Sequence, residues 1–285
     1  KKDQTYQSYW SISWNIFKKN KVAMVCLFIV ILLCLIALFA PLIAPYDPNK
    51  QVLTDRLMKP CGQHWFGTDD LGRDIFSRII YGCRVSLSVG IISQIIATVI
   101  GYTMGVCAGY YGGKVDSVIS FLIQVFSSFP FLLFAMAIMF VLGPGLINLY
   151  LALGLLGWAS TARLIRGDVM RLKKMEYIDA CKVSGGNSFR IIMKHLLPNC
   201  LSTLIVTVTL GIPNAIMSEA SLSFLGLGVK APMASWGSMI SFSQPYIRSA
   251  TYYSVIPGLA IIITVLAFNM LGDGLRDALD PKLRS

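Results

Sequence analysis

The sequence predicts an all-α integral membrane protein, and three observations carry that prediction. Of 285 residues, 55% are hydrophobic and only 14% charged, against about 25% charged in soluble domains, and the mean hydropathy is +0.65. Several uncharged apolar runs reach the roughly 18–20 residues that cross a hydrocarbon core of about 30 Å at 1.5 Å per residue. The 25 Lys and Arg residues lie mostly in the segments between those runs, where they read as membrane topology and not as a nucleic-acid patch.

Six spans follow from the runs: Val22–Ala40, Val85–Ala108, Val118–Leu142, Leu146–Ala162, Cys200–Met217 and Tyr252–Leu271. The first follows "KKNK", yet its apolar core is longer than a signal-peptide core and further spans follow, so it reads as a retained anchor. The fourth is short, contains Asn148 and ends against Arg163. With the N-terminus inside, 17 of the 25 basic residues fall on the inner side, eight of them between Arg163 and Lys194. Both termini are therefore expected in the cytoplasm. The predicted organisation is a cytoplasmic arm (1–21), a first anchor (22–40), an extracytoplasmic loop (41–84) and a core (85–285) with five spans and an inner loop at 163–199.

The arm places Trp10, Trp14 and Phe17 on one helical face, which suits a short helix on the inner membrane surface or an ordinary span flank. In the outer loop, Pro41, Pro45, Pro48 and Pro60 prevent long regular structure. Thr68, Asp69 or Asp70 is then expected to cap an amphipathic interfacial helix with Ile75, Ile79 and Ile80 on one face. Cys61 and Cys83 share this loop, and an oxidising compartment permits a disulfide between them. Cys61 and His64 are too few ligands for a metal site.

Several chemistries are excluded or weakened. The sequence has no G-x-x-x-x-G-K-[ST] loop, so the chain is not expected to hydrolyse nucleotide, and no catalytic triad or metal cluster stands out. Thr98–Tyr102 faintly resembles a potassium-filter signature, but Ile100 interrupts it inside a continuous span. A self-sufficient channel or secondary transporter needs ion-coupling residues within its spans. The only carboxylate near a span interior is Glu219, about 27 Å along the fifth span and so near the outer surface. Pro130 and Pro213 interrupt the third and fifth spans and free carbonyls that protein or a wet cavity must satisfy. Pro130, Pro213, Asn214 and Glu219 are accordingly the candidate gate or pathway residues.

The segment from Glu176 to Asn199, "EYIDACKVSGGNSFRIIMKHLLPN", is polar and basic between apolar neighbours. Met175–Ser184 suits one short helix, ended by Gly185-Gly186 at positive φ. Asn187 or Ser188 suits the cap of a second, with Phe189, Ile192, Met193 and Leu196 as its apolar face. Pro198 suits the first turn of the fifth span.

The run Asp179-Ala180-Cys181, three residues, Gly185, nine residues, then His195-Leu196-Leu197-Pro198 resembles the EAA motif of ABC importer permeases, whose pattern is Glu-Ala-Ala, Gly, Ile-x-Leu-Pro. Asp179, Cys181 and His195 are departures from it. "FGTDDLGRDIFSRIIYG", "RVSLSVG", "YYGGKVD", "EASLSFLGLGV" and "PMASWGSMI" extend the likeness to the dipeptide/oligopeptide/nickel group and its C-type permease subunits, over roughly Pro41 to the C-terminus.

That resemblance implies a multi-pass subunit of a bacterial-type plasma or inner membrane. It pairs with a second, homologous permease, two cytoplasmic ATPase subunits and an extracytoplasmic substrate-binding protein, with membrane lipid around it and no nucleic acid. The implied cargo is short peptides, with nickel or a metal chelate as the alternative. No cofactor is implied in this chain; ATP and Mg belong to the ATPase subunits. Loop 173–198 becomes the coupling element, its residues being Glu176, Tyr177, Asp179, Ala180, Cys181, Gly185, Gly186, His195, Leu197 and Pro198.

Overall fold

A computed structural model describes residues 9–279, which are helical apart from their connections and one isolated bridge between Thr68 and Asp74. Helix α1 (Tyr9–Lys19) leads into α2 (Lys21–Leu38), whose cap Asn20 accepts the Ala23 N–H at 3.1 Å. Phe17 is buried with Ala23, Ala267 and Leu271, so α1 is anchored to the last helix as well as flanking a span. Trp14 stacks on Phe17 at 5.6 Å and stays exposed. The Trp10 side chain, Lys1, Lys2, Lys282 and Arg284 lie outside the described residues.

A short α3 (Ala40–Ile43) opens the loop expected on the outer side, which carries one 3₁₀ turn at Leu53–Asp55. Buried polar contacts give this loop its shape. Helix α4 (Ile75–Tyr111) is capped by Asp74, which accepts the Ser77 N–H at 2.8 Å and bonds His64 Nδ1 at 2.9 Å. The expected caps are therefore corrected. Asp69 is occupied by Arg73 Nε at 2.6 Å and by the Leu71 and Arg73 N–H groups. Thr68 bonds Met58 and Asp55, and Asp70 accepts the Tyr253 hydroxyl at 3.2 Å. Only Asp74 stands directly before the first helical residue. Cys61 and Cys83 are free thiols, Cys61 exposed and Cys83 buried.

The expected interfacial helix and second span are one 37-residue rod, about 55 Å long. Ser77 and Arg78 are buried along with Ile75 and Ile80, so its first turns are embedded in the loop. The expected third span is sharply bent: α5 (Gly113–Ser128) and α6 (Phe131–Leu142) meet at 90°. Pro130 supplies no N–H and pushes Phe129 into extended backbone, at φ −90° and ψ 139°.

Helix α7 (Leu146–Leu172) follows, then α8 (Glu176–Val183) and α9 (Ser188–Ile191). A π-type turn at Ile192–Leu196 joins α9 to α10 (Leu197–Phe224). Helix α11 (Trp236–Ser243) and α12 (Thr251–Leu279) complete the chain. Along α4, Gly101, Gly105 and Gly109 face α7; a Cβ at Gly105 would sit 2.7 Å from the Ala162 carbonyl oxygen. Small residues let these two backbones touch.

Among the described residues, α2, α4, the 188–224 helix and α12 are long and apolar enough to cross a membrane, and bent α5–α6 makes a fifth if it counts as one span. Helix α7, expected as the fourth span, is long enough at 27 residues but less apolar. It runs on past Ala162 through Arg163, Arg166, Asp168 and Arg171, and much of its surface is buried by protein.

Candidate functional site

Two features converge on α10: the loop before it and a groove along it. In the loop, α8 ends in a Schellman arrangement. Gly186 N–H bonds the Cys181 carbonyl at 2.9 Å and Gly185 N–H bonds that of Lys182 at 3.0 Å. Gly185 takes φ +81°, and a Cβ on Gly186 would lie 2.7 Å from Cys181 Sγ. One glycine is required by backbone conformation and the other by space. Asn187 then caps the next helix, accepting the Arg190 N–H at 2.8 Å. Pro198 sits in the first turn of α10, as the sequence predicts.

The loop has two unlike faces. Ile178, Ile191 and Leu196 are buried with Val106, Ile165, Val169 and Cys200, which clamps the loop to α4, α7 and α10. Ser188 is reached by the Tyr110 hydroxyl at 3.4 Å. Outward, Val183 is 90% exposed and Phe189 72%, with Tyr177 and Met193 also exposed. Glu176 and Ala180 are exposed, and Asp179 is exposed and pairs with Lys182 at 2.8 Å. His195 closes the elbow, its Nε2 lying 3.7 Å from Cys181 Sγ and its ring 6.1 Å from that of Tyr177. Leu197 is half-buried against the inner cluster.

The apolar face expected for the second helix is corrected. Leu196 is buried, but Phe189 and Met193 point outward and Ile191 takes the inner position. The reason is the π-type turn, which inserts a residue into the α register and rotates the preceding turn. The two short helices are also not symmetrical: the second is continuous with α10, giving one 37-residue body from Ser188 to Phe224.

The groove has a volume of about 1300 Å³ and is walled by α4, α7 and α10, with the start of α6 and the end of α12 at its margins. Its polar lining is mostly hydroxyls and amides, among them Ser93, Gln94, Thr161, Asn214 and Ser218, with Arg171 and Arg276 also on its wall. Asn214 lines it and donates to the Leu210 carbonyl at 3.1 Å, beside Pro213, which is buried inside the helix. Phe131 and Leu132, directly after Pro130, also line it.

Glu219 does not line the groove. It is fully buried and accepts the hydroxyls of Ser223 at 2.6 Å, Ser235 at 2.7 Å and Ser86 at 3.4 Å. Ser86 in turn accepts the Trp236 N–H at 3.2 Å. The carboxylate thus ties α10 to α4 and to the cap of α11. The structure brings the loop residues together and sets Asn214 and the Pro130 break on the groove, while Glu219 belongs to a separate cluster. Gln94 and Thr161 escape sequence reading because isolated polar residues in a span carry no spacing signal. Asp116 and Arg166, joined at 2.7 Å between Asp116 Oδ2 and an Arg166 terminal nitrogen, escape it because they are 50 residues apart.

Residues 98–285 match the family described as binding-protein-dependent transport system inner membrane component. Residues 8–60 match the N-terminal TM domain of oligopeptide transport permease C. The chain is 46% identical over 278 residues to the dipeptide transport system permease protein DppC of Bacillus subtilis, covering 97% of this chain and 87% of that one. It is 42% identical to the oligopeptide transport system permease protein OppC of the same organism, covering 97% and 91%. It is 41% identical to the glutathione transport system permease protein GsiD of Pectobacterium atrosepticum, covering 100% and 95%. An inward-facing structure of the MetNI methionine ABC transporter superposes with a TM-score of 0.58 at 19% identity, covering 72% of this chain and 98% of that one.

Proposed function

The chain belongs to the family of binding-protein-dependent transport system inner membrane components, and from that premise we propose that it is the permease subunit of an ATP-driven importer of short peptides. The observation that carries the mechanism is the unbroken helical body from Ser188 to Phe224. One end of it is the second arm of the exposed loop, and its length is a wall of the groove. A displacement at Phe189 is carried along one continuous helical element, through the π-type turn and past Pro213, to Asn214 and Ser218.

In this reading the exposed face of the loop, with Tyr177, Val183 and Phe189, seats on a cytoplasmic ATPase subunit. The open side of the groove is closed by a second, homologous permease. An extracytoplasmic binding protein delivers cargo, and ATP and Mg are held by two ATPase partners. The chain itself is a non-catalytic transport subunit, consistent with the missing phosphate-binding loop. Its six spans, with α7 as the fourth and bent α5–α6 as the third, leave both termini and loop 173–198 inside. The amide and hydroxyl part of the lining suits peptide bonds, and the peptide and glutathione systems named for its relatives support that cargo class.

The test is reconstitution with both ATPases, the second permease and the binding protein in liposomes. ATP-dependent uptake of a labelled di- or tripeptide is expected, with no hydrolysis by the isolated chain. Uptake of nickel in place of peptide, or hydrolysis by the chain alone, overturns the reading.

A further inference from the structure

We propose that Gln94, lying across Gly211 on the groove wall, is a docking point for the peptide bonds of passing cargo. This rests on the peptide-importer reading and goes beyond it by naming a substrate-contacting group. Two observations converge. First, the fit between α4 and α10 at this height depends on the missing side chain of Gly211: a Cβ there would overlap the Gln94 carboxamide, falling 2.6 Å from its Nε2. The amide therefore lies flat against α10 instead of projecting across the groove.

Second, both Gln94 and Gly211 line the cavity, and the Gln94 amide keeps hydrogen-bonding capacity. Its Nε2 donates to Thr98 Oγ1 at 3.3 Å, a long bond, and its Oε1 accepts none among the described residues. A carboxamide has two N–H donors and an acceptor oxygen, so it can pair with both the C=O and the single N–H of a peptide bond.

Such a point reads what every peptide shares and no side chain, so it assists transit without selecting sequence. It acts on cargo already released from the binding protein. Its loss should therefore lower the maximal uptake rate and the peptide moved per ATP, while the half-saturating peptide concentration, set at the binding protein, stays unchanged.

The experiment uses the complete reconstituted complex and a labelled dipeptide. Gln94→Ala is expected to lower maximal uptake roughly three- to tenfold, the size of one or two ordinary hydrogen bonds, with Gln94→Asn intermediate. Gly211→Ala is expected to fold, because the group it meets is the end of a flexible side chain, and to lower uptake similarly by pushing the carboxamide into the groove. In the Gln94→Ala background, Gly211→Ala should cost little more. Wild-type uptake by Gln94→Ala, or an undiminished Gly211→Ala cost in that background, overturns the proposal while leaving the importer reading intact. Absence of peptide uptake by the wild-type complex overturns both.

Discussion

Glu219 Oε1 accepts the Ser235 hydroxyl at 2.7 Å, joining the C-terminal end of α10 to the N-cap of α11 across 16 residues of chain. Ser235 also caps α11 through the Ser238 N–H at 3.1 Å. A single buried carboxylate thereby sets the position of two helix ends and, through Ser86, of α4.

Glu219→Ala should therefore be a stability mutation. It leaves hydroxyls of Ser86, Ser223 and Ser235 without their shared acceptor, at a cost of about 1–3 kcal/mol. The melting temperature in detergent should fall by roughly 2–10 °C, and Glu219→Gln, which keeps the shape, should lose less. An unchanged melting temperature with abolished uptake would place Glu219 in the pathway instead.

Gly185→Val should uncouple transport while the protein remains in the membrane. The backbone there holds φ +81° and a Cβ would meet nothing within 4 Å, so the penalty is conformational, roughly 1–3 kcal/mol for a β-branched residue. Gly185→Asn, which tolerates that region, should be the mildest replacement. The measurement is peptide-stimulated ATP hydrolysis alongside membrane abundance. Normal uptake by Gly185→Val at normal abundance would sink the elbow role.

Gly105→Val should separate α4 from α7. Its Cβ would meet the Ala162 carbonyl oxygen at 2.7 Å and Ile165 Cβ at 2.9 Å, and overpacking of this kind costs about 1–3 kcal/mol. Gly167→Ala is the matched control: a Cβ at Gly167 has no neighbour within 4 Å, and alanine favours helix by up to about 1 kcal/mol. Thermal unfolding of the two purified variants should move in opposite directions.

Single cysteines in a cysteine-free background should report the topology. A cysteine at Asn49, exposed in the loop before α4, should react with membrane-impermeant thiol reagents in intact cells. One at Lys194, exposed in the π-type turn between α9 and α10, should react only after permeabilisation. The reverse pattern would invert the membrane orientation.

What the sequence by itself determined is what depends on local chemistry. Apolar run length located the helices, because hydrocarbon demands internal backbone pairing over a set thickness. Gly185-Gly186 and Asn187 marked the elbow, because positive φ and capping are properties of one or two residues. Only the tertiary structure decided the rest. It chose Asp74 over Asp69 as the cap of α4, because Arg73 and Arg78 hold the Asp69 carboxylate. It put Ile191 inward and Phe189 outward, because one π-type turn reset a register that periodicity assumes constant. It turned the Pro130 break through 90° and laid Gln94 against Gly211, two residues that no local spacing relates. Contacts between distant segments depend on how whole helices seat against one another, and that seating is a property of the assembled surfaces and not of any window of sequence.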